Sequence, residues 1–189
     1  EVADRNCQES LDGRGTVEKQ DARQRYHADR ADQFRQAEQA VRNFARGGAA
    51  INVLARSLGA GLEVVNVGTV THPGELPGVV HAGVAPGTAN FCREPAMSET
   101  QLTCALETGK HAAQRAHADD MQLFIGGEMG IGNTTSASAL ACALLQCPAT
   151  ELVGRGTGLD DAGLLRKGQV VQQALTLHAP LLQDAVSIL

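Results

Sequence analysis

Residues 121–145 read MQLFIGGEMGIGNTTSASALACALL and decide how the chain is expected to fold. The apolar run at 121–126 closes on glycine and is typical of a buried β-strand. The small residues at 136–145 are typical of a helix, and a glycine-rich loop at 127–135 joins the two. Backbone N–H groups at a helix start attract anions, so this connection predicts an anion site. The alternative is a tight turn that binds nothing.

This loop matches neither of two common phosphate-binding loops. No Gly-Lys-Ser/Thr follows it, and its Gly-x-x-Gly-x-Gly spacing differs from the dinucleotide fingerprint. Gly130 and Gly132 still allow the backbone to approach a ligand closely, and Asn133 and Thr134 open the following helix. Glu128 stands in the same loop, where its carboxylate can contact a ribose hydroxyl or accept a proton. The alternative for Glu128 is an ordinary solvated carboxylate.

A second glycine-rich loop, at 153–159, precedes another helix. Its glycines alternate with Arg155 and Thr157, and Lys167 follows two turns into the helix. A phosphate held by the amides of Gly156 and Gly158 can pair with the Lys167 ammonium, whereas the alternative is a lysine in solvent. Either Asp160 or Asp161 is expected to cap this helix. Five apolar residues of the helix are expected to point inward: Leu164, Leu165, Val170, Val171 and Leu175.

Upstream, the pattern predicts a strand, a helix and a second strand in that order. Leu62–Gly68 is rich in β-branched residues, a helix is expected from Ser98 to about His117, and the second strand is 121–126. Such a βαβ unit makes the two strands parallel and the fold class α/β. A further helix is expected over 49–58, and a long, functional loop over 69–95.

Composition excludes several classes of protein. Among 189 residues, 16 Lys and Arg face 21 Asp and Glu, and the net charge of −5 argues against a nucleic-acid partner. No run of 18 apolar residues occurs, so no membrane span is expected. The five cysteines include no Cys-x-x-Cys pair, and Cys104 and Cys142 lie in apolar helical patterns. This predicts buried, reduced thiols and a cytoplasmic location. The six histidines lack metal-ligand spacing, so no metal is expected.

Charge is distributed unevenly along the chain. Residues 1–40 hold 16 of the 37 charged residues but only 2 of the 21 glycines. They predict a charged, poorly patterned segment. Residues 41–189 predict a compact α/β domain with glycine loops.

Five segments of this domain resemble one enzyme family: RNFARGGAAINVLARSLGA (42–60), VNVG (65–68), APGTANFCREPAMS (85–98), GGEMGIGNTTSASALACALL (126–145) and ELVGRGTGLDDAGLLRK (151–167). The family is nicotinate-nucleotide–dimethylbenzimidazole phosphoribosyltransferase, and the resemblance covers about 42–189. It implies a Rossmann-like α/β fold with a parallel sheet flanked by helices, and a cytoplasmic homodimer. It implies transfer of phosphoribose from nicotinate mononucleotide to 5,6-dimethylbenzimidazole. The products are nicotinate and α-ribazole 5′-phosphate, the precursor of the lower ligand of cobalamin, and no metal or other cofactor takes part.

The resemblance also assigns roles to residues. Together with the loop chemistry it places nine residues at the nucleotide: Glu128, Gly130, Gly132, Asn133, Thr134, Gly156, Thr157, Gly158 and Lys167. The family's upstream Asp-His-Gly-Val motif is missing, and its general-base glutamate is expected beyond the end of this chain. The chain is therefore expected to be a partial domain without a catalytic base. The alternative is a non-catalytic remnant or a module that only binds a nucleotide or another anion.

Overall fold

The computed structural model describes residues 34–156 and 158–189. The division of the chain at residues 40 and 41 stays a prediction, because 1–33 lie outside the described part. The described residues cluster into two compact units. We call 34–87 with Glu99–Ile131 the sheet unit, and Thr88–Ser98 with Gly132–Leu189 the helical unit.

The sheet unit contains three helices and two short strands: α1 (34–45), α2 (Ala50–Leu58), β1 (Val64–Asn66), β2 (Val79–His81) and α3 (Glu99–Ala118). The side chain of Asn52 fixes the start of α2. Its Oδ1 accepts from the Ala49 N–H at 3.1 Å, and its Nδ2 donates to the carbonyl of Phe44 at 3.2 Å. Gly59 ends α2 in the left-handed conformation, at φ 64°.

The predicted parallel pairing is confirmed, but with a different partner strand. β1 lies within the predicted strand and pairs in parallel with β2, from Val64 opposite Val79 to Asn66 opposite His81. No helix connects the two strands, because β2 lies inside the segment predicted as a loop. The expected strand–helix–strand unit is therefore wrong in its second strand.

Residues 121–126 form no strand in the structure. A buried strand needs neighbouring strands to satisfy its backbone and cover its side chains. Here Leu123 is 75% exposed and Ile125 is 79% exposed. The described residues place no strand beside this segment, so the apolar pattern alone does not produce the element.

Helix α3 confirms the helix expected from Ser98 to about His117. An ion pair joins its last turns to the residue before β1. Arg115 Nη2 lies 2.6 Å from Glu63 Oε1, and Arg115 Nε lies 2.7 Å from Glu63 Oε2. The hydrogen bonds from Arg115 lower the pKa of the Glu63 carboxyl. This bidentate pair holds the helix to the sheet within the unit.

The helical unit contains five elements: α4 (Asn133–Leu145), α5 (Ala149–Leu152), α6 (Asp161–His178), a 3₁₀ turn (Ala179–Leu181) and α7 (Ala185–Ile188). α4 begins three residues before the predicted Ser136. Asp160, not Asp161, caps α6, because its Oδ1 accepts from the Gly163 N–H at 2.7 Å.

Helix α6 contributes to both parts of this unit's core. Val171 packs with Cys142 and Ala149, and Val170 packs with Cys92. The inward orientation predicted for these two valines is confirmed. The prediction is wrong for Leu165, which is 68% exposed because it falls on the opposite side of the helix.

The cysteine prediction holds only in part. Cys104, Cys142 and Cys147 are free thiols, as expected, but only Cys142 is fully buried, and Cys104 is exposed. Cys92 is disulfide-bonded, so the expectation is wrong there.

No cluster of three or more His, Cys, Asp or Glu suitable for a metal ion occurs in the described ranges. Over the same ranges, no helix combines the length and apolar character that crossing a bilayer requires.

Candidate functional site

The start of α4 has the backbone of an anion-binding helix end. Gly132 precedes the helix in the left-handed conformation, at φ 78°, and no side chain of that cap residue accepts from the first-turn amides. An α-helix leaves its first N–H groups without intrahelical partners, and its dipole makes this end positive. Asn133 and Thr134 form the first turn. The geometry therefore favours a negatively charged group in front of them.

Lys167 reaches this helix start from α6. Its side chain is only 1% exposed. Nζ donates to Thr134 Oγ1 at 2.9 Å and to the carbonyl oxygen of Gly154 at 3.0 Å. A lysine extended into solvent, the alternative for this residue, is therefore wrong. The ammonium connects α4 to the second glycine loop.

Gly156 packs directly against this pair of side chains. It adopts φ 56°, and a Cβ built on it would lie 3.1 Å from Thr134 Oγ1 and 3.7 Å from Lys167 Nζ. Both the backbone conformation and the lack of space therefore favour glycine. We call Thr134, Gly154, Gly156 and Lys167 the Lys167 cradle.

The rest of the second loop is closed by Arg155. Its guanidinium forms an ion pair with Asp161 and donates through Nη1 to the carbonyl of Leu159 at 3.1 Å. The N–H of Leu159 in turn donates to the carbonyl of Arg155 at 3.1 Å. Gly158 adopts φ 108°, a conformation that other residues rarely take. The loop is thus held at the entrance of α6 by its own residues.

The charge of the Lys167 cradle suits an oxyanion. Burying an ammonium is costly unless oxygens surround it, and Thr134 and Gly154 supply two neutral ones. A phosphate oxygen beside Lys167 would make a charge-assisted hydrogen bond, which is stronger than one between neutral groups.

The structure brings Thr134, Gly156 and Lys167 into contact. Six of the predicted residues belong to the helical unit: Gly132, Asn133, Thr134, Gly156, Gly158 and Lys167. Glu128 and Gly130 belong to the sheet unit, so their convergence with Lys167 stays a prediction. Thr157 lies outside the described residues.

Sequence reasoning missed the role of Gly154. The second loop was expected to act through its amides, yet the carbonyl of Gly154 accepts from Lys167. The sequence holds no signal for this, since every residue has a carbonyl and only the path of the loop selects one. Thr135 was expected only to open the helix together with Asn133 and Thr134, yet it is buried at 1% exposure.

The site thus consists of a buried lysine behind the start of α4, beside a glycine-rich loop. Residues 30–189 match the model of a family described as Phosphoribosyltransferase. The chain belongs to this family.

Relatives within the family carry a more specific name. A protein of Pseudomonas putida KT2440 is 57% identical over 151 residues, covering 80% of this chain and 43% of that protein. A protein of Pseudomonas fluorescens SBW25 is 60% identical over 141 residues, covering 75% of this chain and 40% of that protein. Both are named nicotinate-nucleotide–dimethylbenzimidazole phosphoribosyltransferase. The chain thus spans less than half the length of these relatives.

A solved structure shows the same fold. The crystal structure of CobT from Thermus thermophilus superposes with a TM-score of 0.70 at 47% sequence identity. The match covers 74% of this chain and 42% of that protein. The described architecture is therefore a helix-rich part of this fold with a small parallel sheet.

Proposed function

We propose that the chain binds the nucleotide phosphate for a phosphoribosyl transfer. The reaction moves phosphoribose from nicotinate mononucleotide to 5,6-dimethylbenzimidazole and yields α-ribazole 5′-phosphate and nicotinate. The names of the relatives support this pair of substrates. The single observation that carries the proposal is the buried Lys167 ammonium, held between Thr134 and Gly154 at the start of α4.

In this proposal the cradle fixes one end of the donor nucleotide. The 5′-phosphate accepts from the first-turn amides of α4 and from Lys167, while Gly156 and Gly158 let the loop backbone approach it. A phosphate held this way orients the ribose, so that its anomeric carbon faces the attacking base. Glu128 and Gly130 are proposed to contact the nucleotide, with Glu128 at a ribose hydroxyl.

The benzimidazole nitrogen must lose a proton as it attacks. A positioned general base contributes roughly 10²–10⁴ in rate to such a step. We assign that role to no residue of this chain. The chemistry attributed to it here is therefore binding and orientation, together with the positive charge that Lys167 places at the phosphate.

A second function is binding of the nucleotide without transfer. The observation that favours it is the hydrogen bonding of Lys167 to Thr134 and Gly154, which builds a place for an anion and involves no proton transfer. The two functions share the Lys167 cradle and differ in turnover.

One experiment separates the two functions. The chain is titrated with nicotinate mononucleotide by calorimetry, and dimethylbenzimidazole is then added while α-ribazole phosphate is followed by mass spectrometry. Product supports the transferase, and binding without product supports the binding module. Nicotinate riboside, which lacks the phosphate, is the control ligand. Equal binding of nucleotide and riboside, or no binding of either, would overturn both.

We further propose the family's larger architecture for the whole protein. In it, β1 and β2 belong to a larger Rossmann-like parallel sheet. The parallel register of β1 and β2 supports this. The protein would act as a homodimer in the cytoplasm on small molecules, with no metal or other cofactor. Sedimentation of the chain and of a full-length relative tests the dimer, which a monomeric relative would contradict.

A further inference from the structure

Two free cysteines meet at the end of α4. Cys142 is 1% exposed, and Cys147 is partly buried against the same cluster. Both are free thiols in the structure. Neither takes part in the proposed phosphate site, so their pairing calls for a separate explanation.

The backbone places these two residues together. Gln146 ends α4 in the left-handed conformation, at φ 53°. Its N–H donates to the carbonyl of Cys142, and the N–H of Cys147 donates to the same oxygen at 3.1 Å. Helix ends of this type bring the side chains of the first and sixth residues into contact. In this chain those two residues are Cys142 and Cys147.

The backbone spacing is compatible with a disulfide. With a 3.1 Å hydrogen bond between their backbones, standard bond lengths keep the two Cα atoms within roughly 7 Å, the upper limit for a disulfide. The Cys142 thiol donates to the Pro148 carbonyl at 3.9 Å, and Cys147 packs against the cluster that contains Cys142. Closing an S–S bond therefore requires the Cys142 side chain to turn from Pro148 toward Cys147.

We propose that Cys142 and Cys147 form a reversible dithiol–disulfide pair. The oxidant is a small disulfide of the glutathione class. Such a pair is compatible with a reducing compartment, where protein disulfides that do form are mostly transient or sense redox state.

The two thiols have different parts in the exchange. Cys147 is the more accessible, so its thiolate attacks one sulfur of glutathione disulfide. That S–S bond breaks, one glutathione leaves as a thiolate, and a mixed disulfide forms on Cys147. Cys142 then loses its proton to solvent and attacks the Cys147 sulfur, which expels the second glutathione. Two electrons pass from the protein to the oxidant, giving one protein disulfide and two glutathione thiols.

Burial sets the order of these steps. Burial raises the pKa of the Cys142 thiol, and the neighbouring Cys147 raises it further. A buried thiol with a raised pKa reacts slowly with an oxidant in solution. Against a mixed disulfide already formed on Cys147, the same thiol is at high effective concentration and can complete the exchange.

The full chain tests the proposal with an internal control. The chain is treated with glutathione disulfide, quenched in acid, alkylated with iodoacetamide and cleaved with trypsin. The tryptic peptide 116–155 contains Cys142 and Cys147 and no other cysteine, whereas 94–110 contains only the exposed Cys104. We expect peptide 116–155 to lose two hydrogens and to carry neither an alkyl group nor glutathione. Treatment with dithiothreitol should restore alkylation at both sites.

Two outcomes would overturn the proposal. One is full alkylation of Cys142 and Cys147 in a sample where Cys104 has acquired glutathione. The other is glutathione on each of the two cysteines separately. Cys142→Ala provides a further check, since alanine suits a buried site and removes the second thiol. In that variant glutathione should remain on Cys147, and its absence there would contradict the assigned order.

Discussion

The Lys167 cradle and the segment 121–131 bury their side chains to very different degrees. Lys167, a charged residue, is 1% exposed, whereas the apolar Ile125 is 79% exposed. The cradle finds its partners among residues of its own unit, Thr134 and Gly154. The segment 121–131 lacks strands beside it among the described residues. Burial in this chain thus follows the availability of partners more closely than the polarity of the side chain.

Replacing Lys167 should have the largest effect of the variants considered, a loss of affinity for the nucleotide. Lys167→Met keeps the length of the side chain and removes its charge and donors. Because charge-assisted hydrogen bonds contribute about 1.5–3 kcal/mol, nicotinate mononucleotide should bind roughly 10–100-fold more weakly in calorimetry. Lys110→Met is the control, since Lys110 lies on the surface of α3 beside Glu107. Equal affinity in both variants would contradict a phosphate role for Lys167.

Truncating one buried and one exposed apolar side chain tests whether the two regions differ in burial in solution. Val171 of α6 is fully buried against Cys142 and Ala149, while Ile125 is exposed. Val171→Ala should lower the free energy of unfolding by about 2 kcal/mol, and Ile125→Ala should change it by less than about 0.5 kcal/mol. Urea unfolding followed by circular dichroism measures both. A large loss in Ile125→Ala would mean that 121–131 is covered in solution.

Replacing Gly156 in the second glycine loop should lower the free energy of unfolding by less than Val171→Ala does. Gly156→Ala adds a Cβ in the left-handed region and 3.1 Å from Thr134 Oγ1, which should cost about 1–2 kcal/mol of folding free energy. Gly154→Ala is the matched control, because no atom lies within 4 Å of its added Cβ and its φ is not positive. The same urea experiment measures both variants. Equal losses would show that the contact with Thr134 is relaxed in solution.

These contrasts explain how far the sequence predicts the structure. α2, α3 and α6 were predicted closely, since their signals are local: a glycine stop at Gly59, a 3.6-residue period and an aspartate cap. Lys167 was also identified as a candidate from a local signal, the glycine-rich loop that precedes its helix. The strand at 121–126 was predicted wrongly because a strand depends on neighbours far away in the chain. β2 was missed because three residues in a proline-rich segment give too short a pattern.

The sequence alone does not determine which residues Lys167 contacts. The motif suggested that Lys167 could face a phosphate, but its bonds to Thr134 and Gly154 join residues 33 and 13 positions away. Only the packing of α6 against α4 selects those partners. The same packing brings Cys142 beside Val171. Side-chain chemistry is thus readable from sequence, while its partners depend on tertiary structure.

The smallest predicted effect concerns the ion pair of the sheet unit. Arg115 lowers the pKa of Glu63 through their hydrogen bonds, so the pair stabilises the fold above the unfolded pKa of about 4.3. That contribution disappears as the pH falls through the lower, folded pKa. Glu63→Gln should therefore lower the urea midpoint slightly at pH 7 and leave it unchanged near pH 2.

Glu107→Gln is the control for Glu63→Gln, because Glu107 pairs with Lys110 within one exposed helix face. Its effect should be smaller at pH 7, since Arg115 binds Glu63 through two nitrogens and connects α3 to the residue before β1. A pair within one helix restrains no tertiary contact. If both variants shift the urea midpoint equally at every pH, the Glu63 pair adds no more to the sheet unit than an ordinary surface pair does.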